Sequence, residues 1–144
     1  PGPLDAAAMA QAAASVARIC EALSYVGVIG VEFFATGDRA RPLIVNEMAP
    51  RVHNTGHWTM DGALTSQFHN HIRAIAGWPL GPVARTADVT MDNLLGDEVF
   101  AVIGHLDDPA ARPHIYGKRE SRAGRKMGHI NFIGDPVDFD ANRC

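Results

Sequence analysis

From Ala6 to about Leu23, the apolar residues Val16, Ile19, Cys20 and Leu23 recur three and four positions apart, with Arg18 and Glu21 between them. That spacing predicts an amphipathic helix, and Asp5 just ahead of it is suited to cap the first turn. Tyr25 and Gly27 then lead into Val28-Ile29-Gly30-Val31-Glu32-Phe33-Phe34, where one acid interrupts a run of β-branched and aromatic residues. The following Thr36-Gly37-Asp38-Arg39-Ala40-Arg41-Pro42 has turn formers at its centre, and Pro42 opens the next strand, so the unit reads as a β-hairpin. Ser66 is placed to cap a second helix through about Ala76, with Phe68, Ile72 and Ile75 at helical spacing and Gly77 as its stop.

Pro79, Gly81 and Pro82 mark a boundary, because they can extend neither a helix nor a central strand. Beyond it, Thr86 to Leu95 and Glu98 to Gly104 include strand-like segments. Ile115-Tyr116 reads as a short strand before a basic turn, and Met127 to Ile133 as another. The expected class is α+β, with an antiparallel sheet and flanking helices over residues 1–81 and a small β-rich subdomain over residues 82–144.

Composition narrows the function more than the fold. The chain has 144 residues, 47% hydrophobic and 20% charged, with a formal net charge of −3 and a sequence pI of about 6.2, so no global basic field favours nucleic acid or an anionic membrane. Cys20 and Cys144 have no metal-type spacing, which suits a reducing compartment. No apolar stretch reaches spanning length and the Ala-rich start lacks the parts of a signal peptide, so a cytoplasmic location is expected. The first residue is Pro1, and its opening helix has no core before it, which suggests a piece of a longer enzyme.

The chemistry is concentrated after the hairpin, where Val45-Asn46-Glu47-Met48-Ala49-Pro50-Arg51-Val52-His53-Asn54-Thr55-Gly56-His57-Trp58-Thr59 gathers carboxylate, amide, guanidinium and imidazole groups. If the turn centres near Arg39 and Ala40, Glu32 and Glu47 face each other across the strands with Cβ atoms roughly 5 Å apart. Two bare carboxylates at that distance repel unless a cation lies between them. Magnesium, which prefers oxygen ligands, fits such a pair; a structural salt bridge to Arg51 or Arg41 fits it equally well. Further on, Lys118, Arg125 and Lys126 surround a glycine-containing turn, as a phosphate-binding site or a solvated basic loop would.

These blocks, together with Thr65-Ser66-Gln67-Phe68, His71-Ile72-Arg73-Ala74-Ile75, Tyr116-Gly117-Lys118 and Gly124-Arg125-Lys126-Met127-Gly128-His129, resemble the 5-(carboxyamino)imidazole ribonucleotide synthases, ATP-grasp ligases of de novo purine synthesis. The resemblance covers nearly the whole chain. It implies the C-terminal half of an ATP-grasp domain followed by the small β-rich subdomain. It also implies ATP-dependent carboxylation of aminoimidazole ribonucleotide with bicarbonate through carboxyphosphate, and a homodimer for the full-length enzyme. Within that reading Glu32 and Glu47 hold Mg2+ or Mn2+, and Asn46 and Glu47 lie beside the nucleotide phosphates. Arg51 and His53 are catalytic, and Asn54, Lys118, Arg125 and Lys126 bind the ribonucleotide, its phosphate falling to the basic turn. Asn54, Thr55 and Gly56 also fit a plain turn that positions His53, with His57 and Trp58 packed beneath.

The loop from Lys118 to Gly124 runs one residue longer than is usual, with Ala123 where proline is common. A formate-dependent phosphoribosylglycinamide formyltransferase is the nearest enzyme alternative, but Asn54 and His57-Trp58-Thr59 argue against it. In a non-catalytic remnant the paired acids would be dispensable, yet both are kept. Without an upstream ATP-clamping lobe the chain is expected to be inactive alone.

Overall fold

The computed structural model describes residues 5–38 and 42–136. The turn expected at Arg39 and Ala40, Arg41 as a partner for an acid, and Cys144 lie outside them. Helices and antiparallel sheets alternate along the chain, which divides into two compact units. One comprises residues 1–56 and 68–80, the other residues 57–67 and 81–144.

The first unit opens with α1 (Ala6–Ala22), whose N-terminus is capped as expected: the Asp5 carboxylate accepts the Ala8 N–H at 2.7 Å. Ala8, Val16, Ile19 and Cys20 lie on its covered side, but Leu23 is 62% exposed, beyond the helix end. Strands β1 (Gly30–Ala35) and β2 (Leu43–Ala49) form a two-stranded antiparallel hairpin. Phe34, Ile44 and Met48 on it remain exposed.

A single-turn 3-10 helix (Asn54–Gly56), a short α2 (Thr59–Gly62) and α3 (Gln67–Ile75) follow. Glycine ends α3 as the sequence predicts: Gly77 adopts φ +69°, its N–H reaches the Ala74 carbonyl at 3.1 Å, and the Trp78 N–H reaches that of Arg73 at 2.8 Å. The expected apolar face is corrected. Ile72 and Ile75 are exposed, whereas Asn70 is buried and His71 turns inward to accept the Val28 N–H at Nδ1, 3.0 Å away.

The second unit is built on a three-stranded antiparallel sheet, β3 (Ala87–Leu95), β4 (Ala111–Ile115) and β5 (Lys126–Pro136), in the order β3-β5-β4. Leu94, Ala111 and Ile130 form its apolar centre, with Val102 and Phe132 packed against them. The strand expected over Glu98 to Gly104 is instead part of a 3-10 helix, Gly96–His105. Val99, Val102 and His105 are its half-buried positions, three apart, which is the 3-10 repeat rather than the alternation of a strand. Its start is fixed by Gly96 at φ +54° and by the Glu98 carboxylate, which accepts the Leu95 N–H at 2.7 Å. Residues 57–67 join this unit through backbone bonds from Leu64 to Ala84 and from Thr86 to Gly62.

Candidate functional site

Counting from the hairpin turn puts Glu32 opposite Glu47, and that is the register adopted. One feature was not legible: the ladder passes from Glu32↔Glu47 to Phe33↔Val45, leaving Asn46 as an extra residue in a β-bulge. Successive residues of a regular strand point to opposite faces. Across this bulge both Asn46 and Glu47 reach the same cluster. Asn46 Nδ2 donates to Glu32 Oε2 at 3.2 Å, and Glu47 Oε1 lies 3.2 Å from His53 Nε2.

His53 completes the group. Its Nε2 is 3.8 Å from Glu32 Oε1, and the ligand atoms of Glu32, Glu47 and His53 all lie within 4.8 Å of one another. The imidazole is buried while Glu32 is half-buried and Glu47 exposed, so the acids face solvent and the histidine forms the floor. Although Glu32 interrupts an otherwise apolar run, it is therefore not a buried acid. Thr55 fixes the ring from behind, with Oγ1 2.9 Å from Nδ1 and its backbone N–H pointing at the same nitrogen from 3.5 Å. With Nδ1 engaged by Thr55, Nε2 is the edge presented to the carboxylates. Gly30 lets the ring in, since a Cβ there would sit 2.5 Å from His53 Cβ.

Two carboxylates and an imidazole converging at this distance form a donor set that a divalent cation satisfies: it would remove the repulsion between the acids and take their oxygens as hard ligands. Arg51 is not the acids' partner. It is exposed and donates from Nη1 to the Val52 carbonyl at 2.9 Å, and among the described residues its other guanidinium donors have no partner. Asn54 begins the 3-10 turn that carries Thr55.

His57 and Trp58, expected beneath His53, pack within the second unit. Gln67 Nε2 is 2.7 Å from His57 Nδ1, and the Trp58 ring lies 5.9 Å from the Arg85 guanidinium carbon.

The basic turn joins β4 to β5 in the second unit. Lys118 Nζ donates to the Lys126 carbonyl and lies 5.4 Å from the centre of the Tyr116 ring. Arg125 donates to the Glu120 carbonyl at 3.2 Å, and Arg122 pairs with the Glu120 carboxylate at 2.5 Å. Lys118, Arg125 and Lys126 are all exposed, as phosphate ligands and solvated loops both require.

Beneath that turn lies a polar layer that sequence reasoning missed. His129 and Asn131 on β5 are 1% and 0% exposed. His129 Nδ1 is 2.8 Å from the Tyr116 hydroxyl, and its ring stacks on His114 at 4.6 Å and tilts against His57 at 5.0 Å. Asp61 Oδ2 accepts from Asn131 Nδ2 at 2.6 Å and lies 2.7 Å from His114 Nε2. Burial, reinforced by the neighbouring His114 and His57, lowers the His129 pKa to about 4, so the ring is neutral near pH 7; Asp61 acts weakly in the other direction. Burial also raises the Tyr116 pKa, which keeps its hydroxyl protonated. The available signal was the polar pair His129 and Asn131 two apart in an otherwise apolar strand, matched by His114 on β4 and Tyr116 just beyond its end.

Comparison with known proteins adds an independent line. A sequence model of the ATP-grasp domain matches residues 1–68, and one of the phosphoribosylaminoimidazole carboxylase C-terminal domain matches residues 89–139. The N5-carboxyaminoimidazole ribonucleotide synthase of Brucella melitensis biotype 1 is 50% identical over 125 residues, 86% of this chain and 34% of that protein. The crystal structure of N5-carboxyaminoimidazole ribonucleotide synthetase from Thermus thermophilus superposes with a TM-score of 0.79 at 48% identity, covering 94% of this chain and 36% of that one. That of the Aspergillus clavatus N5-carboxyaminoimidazole synthase, solved with ADP and 5-aminoimidazole ribonucleotide, gives a TM-score of 0.67 at 35% identity, covering 75% of this chain and 30% of that one. The chain thus spans about a third of the length of the relatives it matches. Among the described residues, no helix is long and apolar enough to cross a membrane.

Proposed function

The chain belongs with the C-terminal portion of the N5-carboxyaminoimidazole ribonucleotide synthases, carbon–nitrogen ligases of the ATP-grasp family, and from that premise we propose that it supplies part of the active site for ATP-dependent carboxylation of 5-aminoimidazole ribonucleotide by bicarbonate. The observation that carries this reading is Glu32 facing Glu47 across a bulged hairpin with His53 Nε2 beside both. In this reaction ATP phosphorylates bicarbonate to carboxyphosphate and leaves as ADP. The exocyclic amine of the ribonucleotide then attacks the carboxyl carbon and inorganic phosphate departs.

Glu32 and Glu47 would hold Mg2+ or Mn2+, which when bound shields the charge on the phosphoryl oxygens. Asn46 donates one amide N–H to Glu32 and so orients one carboxylate, and its second amide N–H is the donor assigned to the nucleotide phosphates. His53, braced by Thr55, orients the other through Nε2. Arg51 offers its remaining planar donors to bicarbonate and to charge developing on the transferred group. Asn54, Lys118, Arg125 and Lys126 are assigned to the ribonucleotide, with the basic turn taking its phosphate. We assign residues 1–81 to the ATP-grasp domain and 82–144 to the C-terminal subdomain, and expect a cytoplasmic homodimer.

The test uses the full-length protein with ATP, magnesium, aminoimidazole ribonucleotide and either bicarbonate or formate. Bicarbonate-dependent ADP release is expected, with Glu32→Gln and Glu47→Gln each weakening Mn2+ binding by more than roughly tenfold, the size usual for disturbing even an outer-shell partner. Turnover with formate alone, or unchanged metal binding and activity in both variants, would overturn the assignment.

A further inference from the structure

The buried layer of the second unit ends at the basic turn. His129, immobilised between the rings of His114 and His57, places Nδ1 2.8 Å from the Tyr116 hydroxyl, so the far end of the Tyr116 ring is tied to the most buried part of the sheet. The near end is tied by the backbone, where the Tyr116 N–H donates to the Met127 carbonyl at 2.9 Å. Gly117, at φ +65°, then turns the chain back on itself, and Lys118 folds over the ring. Its ammonium lies 5.4 Å from the ring centre and donates to the Lys126 carbonyl. A lysine on a flexible four-carbon stem is a poor point of reference for a phosphate unless something fixes it. Here an aromatic face and one carbonyl do so without neutralising its charge.

We infer that Tyr116 is a positioning residue for phosphate recognition: its ring is the shelf that holds the Lys118 ammonium where the ribonucleotide phosphate binds. The inference rests on the assignment of Lys118 to that phosphate. It adds a group that need not touch substrate, and it makes the buried His129 the anchor of the shelf. A cation–π contact at an exposed site corresponds to roughly a two- to fivefold effect on binding.

Steady-state kinetics of the full-length enzyme separate the possibilities. Tyr116→Leu should raise the KM for aminoimidazole ribonucleotide roughly two- to fivefold, leaving kcat and the KM for ATP in place, because loss of folded enzyme alone would lower the apparent kcat and spare KM. Tyr116→Phe keeps the ring face but loses the bond to His129, and should restore part of the loss. In the Lys118→Ala background Tyr116→Leu should add nothing. Should Tyr116→Leu not fold, Tyr116→Met, which keeps bulk without a ring, carries the same expectation. Additive effects in the double variant, a Phe variant as impaired as Leu, or an effect confined to kcat would overturn the inference while leaving the phosphate site standing. An unchanged ribonucleotide KM in Lys118→Ala itself would instead remove the underlying assignment, and this inference with it.

Discussion

Replacing Gly30 by alanine probes the closest approach in the candidate metal centre. The added methyl would lie 2.5 Å from His53 Cβ and 2.6 Å from Cγ, atoms at the root of the side chain. No rotation about χ1 moves Cβ, so relief requires the His53 backbone or β1 itself to shift by about 1 Å to regain ordinary carbon–carbon contact near 3.5 Å. A shift of that size takes Nε2 out of hydrogen-bond range of Glu47, now 3.2 Å away. Overpacking of this kind costs about 1–3 kcal/mol, whereas the entropy lost from the unfolded chain on Gly→Ala returns only about 0.4–1 kcal/mol. Gly30 is not among the glycines at positive φ, so backbone strain does not confuse the comparison. Gly104→Ala is the control, since a Cβ there meets nothing within 4 Å and its φ is also ordinary. Because the entropy gain is common to both variants, urea unfolding of the full-length protein should show Gly30→Ala less stable than Gly104→Ala by about 1–3 kcal/mol, and Mn2+ titration should show weaker binding only in the former. Equal stability and equal metal affinity in the two variants would refute the argument from close approach.

Three further outcomes are expected. His129 has a folded-state pKa of about 4 against 6.5 for the free side chain, so the unfolded chain takes up its proton first and stability is lost as pH falls from about 6.5 toward 4, with a ceiling of about 3 kcal/mol. Urea midpoints between pH 7 and 4.5 should therefore fall more steeply in wild type than in His129→Asn, and parallel slopes would contradict the assignment. Asp5→Ala should cost about 1 kcal/mol through loss of the α1 cap and Asp5→Asn much less, a difference readable by circular dichroism on urea titration. Gly96→Ala places a non-glycine residue at φ +54° with its Cβ 3.0 Å from the Arg122 carbonyl oxygen, and should lower stability by about 1–2 kcal/mol; a neutral effect on thermal unfolding would show that the turn relaxes freely.

Counting back from a turn centred between Arg39 and Ala40 pairs Glu32 with Glu47. The ladder nearest the turn, from Ala35↔Leu43 to Phe33↔Val45, continued regularly would however set Glu32 against Asn46, and it is the bulge that brings the two acids opposite each other. The Asn46 bulge was not legible, because inserting one residue into a ladder leaves no compositional trace. Leu23, Ile72 and Ile75 were placed inward on helical spacing alone, yet each is exposed. Periodicity identifies an apolar face and not what covers it. The Glu98 to Gly104 segment is rich in Val, Phe and Ile, which favours a strand, but the left-handed turn at Gly96 and the Glu98 bond to Leu95 determine a 3-10 start. The histidine layer was hidden for a further reason: its members come from positions as far apart as His57 and Asn131, and only the sheet order brings them together.

That sheet order also dictates how the second unit can be made. The central strand, β5, is the last of the three in sequence, and its neighbours β3 and β4 pair with it and not with each other. A nascent chain emerging from the ribosome therefore has no hairpin to form in this unit until residues 126–136 arrive. When they do, both ladders and the Asp61–Asn131 bond, which closes a separation of 70 residues, become available together. Assembly of this kind is late, non-local and cooperative, with slow closure as the expected signature. A stop codon or a protease cut before Lys126 should thus leave residues 81–125 without a sheet, rather than with a shortened one.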